Sequence, residues 1–327
     1  MSLDADLIVD RRRMRRKLTF WRVATVLIAI VAVVAGAFVL TGHRSVLSGG
    51  VSGSIARVTI QGLIRGNRVR VEALDRLAKS DAKAVIVHLN SPGGTVAGSE
   101  ELYDSLRRVK ARKPVVMVVD GLAASGAYIA ALAGDRIITQ QSAIVGSIGV
   151  IFQYPNVTEL LKTIGVTVEA VRSSPLKAAP SGYEPTSPEA LAAVEAVVMD
   201  SYNWFRNLVR DRRQLDPALL QRVADGRVFT GRQAIELKLV DALGDEQTAI
   251  AWLAKEKNID PKTPIRDYPL SPRLTDLTFL HLAMAALLDA VGLNTLALTV
   301  RDWGTIQAVE RLNLDGLLAL WHPPSTN

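Results

Sequence analysis

Ser125 stands in Ala123-Ala124-Ser125-Gly126-Ala127-Tyr128, just after the apolar run Pro114–Val119 and the pair Asp120-Gly121. A serine that opens a helix there is placed as a nucleophile. Backbone N–H groups of the helix start, left open by Gly126, would stabilise an oxyanion. The segment is not the Gly-x-Ser-x-Gly elbow of α/β-hydrolases, because positions 123 and 127 are both Ala. The competing reading of Ser125 is a plain helix cap.

A serine nucleophile needs a base, and histidine is scarce. The four histidines are His43, beside an apolar segment, His281 and His322, in the C-terminal region, and His88, inside a buried-looking strand where a hydrogen-bonded core role is expected. Lysine is the alternative base once apolar surroundings favour its neutral form, and Ser–Lys pairs are a variant of triad logic. Of eleven lysines, Lys177 stands apart. It lies in Ser174-Pro175-Leu176-Lys177-Ala178-Ala179-Pro180, with no carboxylate within five residues on either side. An exposed loop lysine is the other reading.

Two glycine-framed segments complete the set. Gly93-Gly94, after Asn90-Ser91-Pro92, offers unobstructed N–H groups for an oxyanion hole or for close approach of a peptide backbone; an ordinary turn is the alternative. Gly146-Ser147-Ile148-Gly149-Val150 places Ser147 either to hydrogen-bond a catalytic ammonium or to cap a turn. Neither matches a phosphate loop. The chain has no Cys, which excludes a disulfide framework, thiolate metal sites and a cysteine nucleophile. No metal or other cofactor is expected.

The elements that must hold these residues follow from pattern. Ser54–Ile60, Ala84–Leu89, Pro114–Val119 and Asp135–Thr139 read as strands. Val69–Lys79, Gly98–Lys110 and Ala123–Ala133 read as helices between or after them, with Asp120-Gly121 as a turn. This alternation predicts an α/β architecture with a largely parallel sheet and ligands at strand-end loops. Residues 188–225 read as a long helical stretch broken near Asp216-Pro217, followed by helices over Gly231–Lys238 and Asp245–Lys255.

Charge and hydropathy suggest a membrane anchor. The net charge is +7 over 327 residues, and residues 1–22 alone hold seven basic and three acidic residues. No basic, aromatic-interleaved stripe follows, so no nucleic-acid partner is expected. Val23–Leu40 is uncharged and apolar and as a helix spans about 27 Å, close to a bilayer core. Phe20 and Trp21 lie at its entry, and the basic flank predicts a cytoplasmic N-terminus with the remainder on the outer or periplasmic side of the plasma membrane. A cleavable signal peptide, with Ala35-Gly36-Ala37 as cleavage site, is the rival, but the apolar run continues through Leu40. The expected layout is a cytoplasmic basic segment (1–22), a transmembrane anchor (23–41) in contact with the lipid bilayer, a Gly/Ser-rich linker (42–54), a catalytic domain (55–258) and a C-terminal extension of unassigned role (259–327). Within that extension, Phe279–Val300 reads as an amphipathic segment, packed on the domain or lying on the membrane face.

Taken together, Asn90-Ser91-Pro92-Gly93-Gly94, Ala124-Ser125-Gly126-Ala127-Tyr128, Gly146–Val150, Lys177, and Asp225-Gly226-Arg227-Val228 through Leu239-Val240-Asp241 resemble the short-form signal peptide peptidase A (protease IV) family in order and spacing over roughly residues 55–250. The resemblance implies a Clp-protease/crotonase-like fold, Ser125 as nucleophile, Lys177 as general base and Ser147 as the residue orienting the lysine. It implies that Gly93, Gly94 and Gly126 support the oxyanion. It further implies peptide substrates such as remnant signal peptides, and a ring-shaped homo-oligomer in which neighbouring subunits share the dyad. Two positions depart from the family pattern, Ala127 and Lys238 standing where glycine is usual. The rival functions are a crotonase-type acyl-CoA enzyme, a catalytically silent membrane scaffold on the same fold, and a membrane quality-control protease of the same Ser–Lys type.

Overall fold

The computed structural model describes residues 51–270 and 317–321, together with Lys17, Phe20, Trp21, Arg22, Ala24, Thr25 and Ile28. The chain divides into two units, Met1–Gly50 and Val51–Asn327. In the first, the seven described residues are helical where assigned, and Phe20 and Trp21 are exposed with their rings edge-to-face at 6.0 Å. Among the described residues no helix is long and apolar enough to cross a membrane. The anchor read at 23–41 lies almost wholly outside the described residues, and so does Phe279–Val300.

The second unit is built on a parallel core of β1 (Ile55–Gln61), β2 (Ala84–Ser91) and β4 (Val115–Ala124). Their near-continuous apolar runs are what a sheet buried on both faces requires. Alternate residues separate cleanly. Val85, Val87, Leu89, Val115, Met117 and Val119 join the larger core cluster. Ala84, Ile86, Val116 and Val118 join a smaller one with Ala249 and Leu253. The larger face is covered by α1 (Arg68–Lys79) and α2 (Val96–Lys110), the smaller by α8 (Glu246–Lys257). In α2 the residues Leu102, Leu106 and Val109 are fully buried at helical spacing, each contributing about 1.5–3 kcal/mol of apolar burial. Helix α1 starts where Asn67 accepts from the Arg70 N–H at 3.0 Å, and α2 where Thr95 accepts from the Gly98 N–H at 3.1 Å.

Strand β4 corrects the sequence reading. Asp120-Gly121 is not a turn. The strand continues through it to Ala124, and its neighbour changes there: Val116–Val119 pair with β5 (Arg136–Thr139), whereas Leu122–Ala124 pair with β6 (Ile144–Gly146). The β2–β4 register also shifts between Leu89 and Ser91. One long strand thereby serves two neighbours within the same sheet and delivers Ser125 at its end. The following helix, α3, is correspondingly shorter than expected, Gly126–Ala131.

The sheet is completed by β7 (Val228–Thr230), antiparallel to β6, by β8 (Ala242–Leu243) beside β5, and by β9 (Ile265–Asp267) beside β1. Between β6 and β7 lie α4 (Thr158–Thr163), α5 (Pro188–Arg213) and α6 (Pro217–Val223), and α7 (Gly231–Glu236) follows β7. The break at Asp216-Pro217 is as read, with Asp216 capping α6. A separate pair is formed by β3 (Gly93–Thr95) and β10 (Leu318–Leu320). The stretch between β6 and α5 differs from the rest of the domain: Leu160, Ile164, Val168, Val171 and Leu176 are all exposed.

Candidate active site

The C-terminal ends of three adjacent parallel strands bring five of the six expected residues together, all but Lys177. Ser91 of β2 is registered with Ala123 of β4, and Ala124 with Gly146 of β6, so Ser125 and Ser147 each take the next position after paired residues. The Ser125 N–H donates to the Gly146 carbonyl at 2.8 Å, which fixes this end of β4 against β6. Strand ends of parallel sheets are where such folds hold ligands.

Ser125 is 1% exposed and sits at φ 55°, ψ −118°. A non-glycine residue in that region is strained, and strain of order 1–3 kcal/mol persists only where surrounding structure imposes it. Here the imposing contacts are the Gly146 bond on one side and the first turn of α3 on the other, where Tyr128 and Ile129 donate to the Ser125 carbonyl at 2.9 and 3.1 Å. The Ser125 hydroxyl makes no capping bond to α3, so the plain helix-cap reading fails and the hydroxyl is left for other work.

The glycines form a notch beside it. Gly93 has φ +102°, and a Cβ there would collide with the Ala319 carbonyl oxygen and lie 2.8 Å from the Gly126 nitrogen. A Cβ on Gly126 would collide with Ser99 Oγ and lie 2.9 Å from the Ala319 oxygen and 3.2 Å from the Gly94 nitrogen. Gly94 cannot carry a side chain either, since the backbone of Ile64 fills that space. Gly93 and Gly126 thus face one closely filled space, which takes in the Ala319 carbonyl oxygen and which the Gly94 and Gly126 nitrogens border. Oxyanion holes have this composition, with backbone N–H groups and no side chain in the way.

Ser147 is buried at 8% exposure, with φ 51°, and its N–H donates to the Arg227 carbonyl at 2.8 Å. Lys177 is placed differently. It is exposed in a turn where its N–H donates to the Ser174 carbonyl at 3.1 Å, and no hydrogen bond links its side chain to Ser125 within the chain. His88 has the structural role expected of it: Nδ1 lies 2.9 Å from Asp120 Oδ1 and Nε2 lies 2.9 Å from Glu246 Oε2. Both ring nitrogens are engaged away from Ser125. The Glu246 carboxyl is held below its ordinary value chiefly by hydrogen bonds from Arg57, opposed by partial burial and reinforced by His88. Tyr128 is fully buried, its hydroxyl donating to the Leu239 carbonyl at 2.7 Å, and burial raises its pKa, so it remains a neutral structural donor.

The family of the chain follows from likeness to known proteins. The peptidase family S49 model matches residues 107–260, a span that includes Ser125, Ser147 and Lys177. A Synechocystis sp. protein named as a protease is 37% identical over 209 residues, covering 63% of this chain and 76% of its own length. The chain belongs to peptidase family S49.

It is accordingly a serine-type peptidase. An Enterococcus faecium protein named signal peptide peptidase SppA is 34% identical over 184 residues, 56% of this chain and 54% of that one. The Salmonella typhi protein named Protease 4 is 34% identical over 195 residues, 59% of this chain but 31% of its own length. The chain therefore spans about a third to a half of these two S49 relatives. The Clp protease family model matches residues 66–147, in keeping with a Clp-protease-like mixed α/β fold. A ClpP1 mutant structure from Listeria monocytogenes covers 58% of this chain and 91% of its own, at TM-score 0.39 and 15% identity.

The two departures from the family pattern have different consequences. Ala127 is fully buried in the larger core, so its methyl group packs inward. Lys238 takes φ 57° in the turn after α7, the left-handed conformation that a glycine adopts without cost. The site feature missed in the sequence is the segment Leu317–Trp321, whose β10 lies on β3 at the notch. Its Leu-Leu-Ala-Leu-Trp run carries no catalytic residue type and no turn signal, and nothing local announces pairing with residues more than two hundred positions earlier.

Proposed function

We propose that this chain is an endopeptidase in which Ser125 attacks an extended peptide laid as a strand along β3 in the place that β10 takes here, the oxyanion being held by the Gly94 and Gly126 N–H groups. The strained, buried Ser125, whose hydroxyl does not cap α3, next to a notch bordered by the glycine backbone at Gly93, Gly94 and Gly126, is the observation that carries this reading. The Oγ proton passes to a base, the acyl-enzyme forms as the peptide C–N bond breaks, and water releases it.

Lys177 is the base in this scheme, with Ser147 orienting it, and it is supplied by a neighbouring subunit. Exposure of Lys177 within a single chain supports sharing, as does the exposed apolar character of Leu160, Ile164, Val168, Val171 and Leu176 in the same stretch. A cluster of exposed apolar side chains in one stretch of this kind suits contact with another protein surface. A closed homo-oligomeric ring would bury it and complete each site. Residues 23–41 anchor the assembly in the membrane, which suits apolar substrates such as remnant signal peptides.

The test mixes Ser125→Ala and Lys177→Ala chains, each inactive alone. Random assembly makes about a quarter of the dyads whole if neighbours share the site. Recovery of peptide hydrolysis toward that level supports sharing. If mixed assemblies form and stay inactive, both residues act within one chain or Lys177 is not the base.

A further inference from the structure

The Gly94 N–H belongs to a strand only three residues long, and so short a strand does not aim a hydrogen-bond donor by itself. A peptide group is planar and trans, so its N–H points opposite to the carbonyl of the same unit. The unit that carries the Gly94 N–H also carries the Gly93 carbonyl, and that carbonyl accepts from the Ile64 N–H at 2.8 Å. One unit further on, the Thr95 N–H donates to the Ile64 carbonyl at 2.9 Å. Gly94 therefore pairs with Ile64 on one edge of β3, and its own N–H is turned to the opposite edge, toward the notch. The bond accepted by the Gly93 carbonyl also polarises the unit and strengthens the N–H as a donor.

Ile64 lies in the irregular connection Gly62–Asn67, and both ends of that connection are latched. Upstream, the Ser91 hydroxyl, 0% exposed, donates to the Gly62 carbonyl at 2.6 Å and accepts from the Gly93 N–H at 3.1 Å. One side chain thus ties the connection to β3. Downstream, Arg70 of α1 donates to the Arg65 carbonyl at 2.5 Å, and Glu101 of α2 accepts from the Asn67 N–H at 2.9 Å. The two side chains stand 3.8 Å apart, that of Arg70 only 12% exposed. Gly98 lets the connection lie against α2, since a Cβ there would be 2.5 Å from the Arg65 carbonyl carbon.

We propose that Ser91, Arg70 and Glu101 are positioning residues for peptide hydrolysis: they seat Ile64 across Gly94 and so hold the Gly94 N–H on the developing oxyanion. None of the three touches the substrate. The proposal rests on the reading of the Gly94 N–H as an oxyanion donor.

The test compares the full-length wild type, Ser91→Ala and Arg70→Gln in hydrolysis of an alanine-containing peptide, with rates expressed per site titrated by a serine-directed phosphonate. Complete loss of an oxyanion donor costs about 10²–10³ in kcat, so a donor present but misdirected should cost about tenfold to a hundredfold, with KM within about twofold of wild type. The second readout is inhibition by the matching peptide aldehyde. Ser125 Oγ adds to the aldehyde carbon, its proton goes to the base, and the aldehyde oxygen becomes the anion in the notch. The inhibition constant should rise by the factor by which kcat/KM falls. Affinity for the uncleaved peptide, measured with Ser125→Ala added to each variant, should not change. A merely structural role would lower the melting temperature and the number of titrated sites and leave these per-site values alone. Per-site kcat/KM within about twofold of wild type in both variants overturns the proposal. So does a loss carried by KM with the inhibition constant unchanged. If either variant fails to fold, Glu101→Ala, at a partly exposed helix position where alanine is favoured, is judged by the same readouts. A wild type that binds the aldehyde no better than Ser125→Ala does overturns the reading of the site, and the proposal with it.

Discussion

Adding one methyl group at Gly126 should separate folding from catalysis. The new Cβ would collide with Ser99 Oγ, which donates to the Thr95 carbonyl at 2.9 Å, and would stand 2.9 Å from the carbonyl oxygen in the notch and 3.2 Å from the Gly94 nitrogen. Overpacking of this kind costs about 1–3 kcal/mol of stability. The second effect is chemical: a carbon in the notch pushes the oxyanion off its donors, and loss of one such donor costs about 10²–10³ in kcat, or about 2.7–4 kcal/mol. Ser99→Ala removes the nearest colliding atom. The double variant Ser99→Ala/Gly126→Ala should therefore regain most of the melting temperature while kcat/KM stays at least about a hundredfold low. Thermal unfolding and peptide hydrolysis on the wild type, both single variants and the double variant give the comparison. A double variant with near wild-type kcat/KM would show that the notch does not hold the oxyanion.

Lys177→Arg should abolish turnover without loss of fold, because a guanidinium does not give up its proton and cannot accept one from Ser125; activity above a few per cent of wild type removes Lys177 from the mechanism. Lys238→Gly should stabilise the domain by about 0.5–1 kcal/mol, since φ 57° is unfavourable for a side-chain-bearing residue and free for glycine; urea unfolding reads this, and a loss of stability would mean that the Lys238 side chain matters more than its backbone. The depressed Glu246 carboxyl contributes stability that is fully present above its ordinary value of 4.5 and is lost as pH falls through the lower folded-state value. Glu246→Gln should therefore flatten the stability profile below about pH 4.5 while lowering stability at neutral pH. An unaltered acid limb in that variant contradicts the role given to the Arg57–Glu246–His88 contacts.

The parallel core was legible because its strands are short apolar runs between helices of clear 3.6-residue period, as at Leu102, Leu106 and Val109. Gly93, Gly94 and Gly126 were legible as sites of close approach from their types and their position after those strands. Asp120-Gly121 was misread because turn-type residues also appear where a strand changes partner, and only the pairing to β5 and then β6 reveals this. The apolar flanks of Lys177 pointed to a desolvated lysine, whereas the single chain leaves it exposed; desolvation would have to come from a second subunit, which no local pattern encodes. Strand β10 was illegible for a related reason. Three residues long, it draws its hydrogen bonds from β3 and Ile151 and not from its neighbours in sequence.

The central claim is that Ser125 is the nucleophile, and its most direct test is the site of a covalent adduct. The full chain, incubated with a serine-directed fluorophosphonate and mapped by peptide mass spectrometry, should carry one adduct per chain on Ser125, with hydrolysis lost in proportion to labelling. Ser125→Ala should take none. Labelling at another serine, or full hydrolytic activity remaining in Ser125→Ala, would contradict the account.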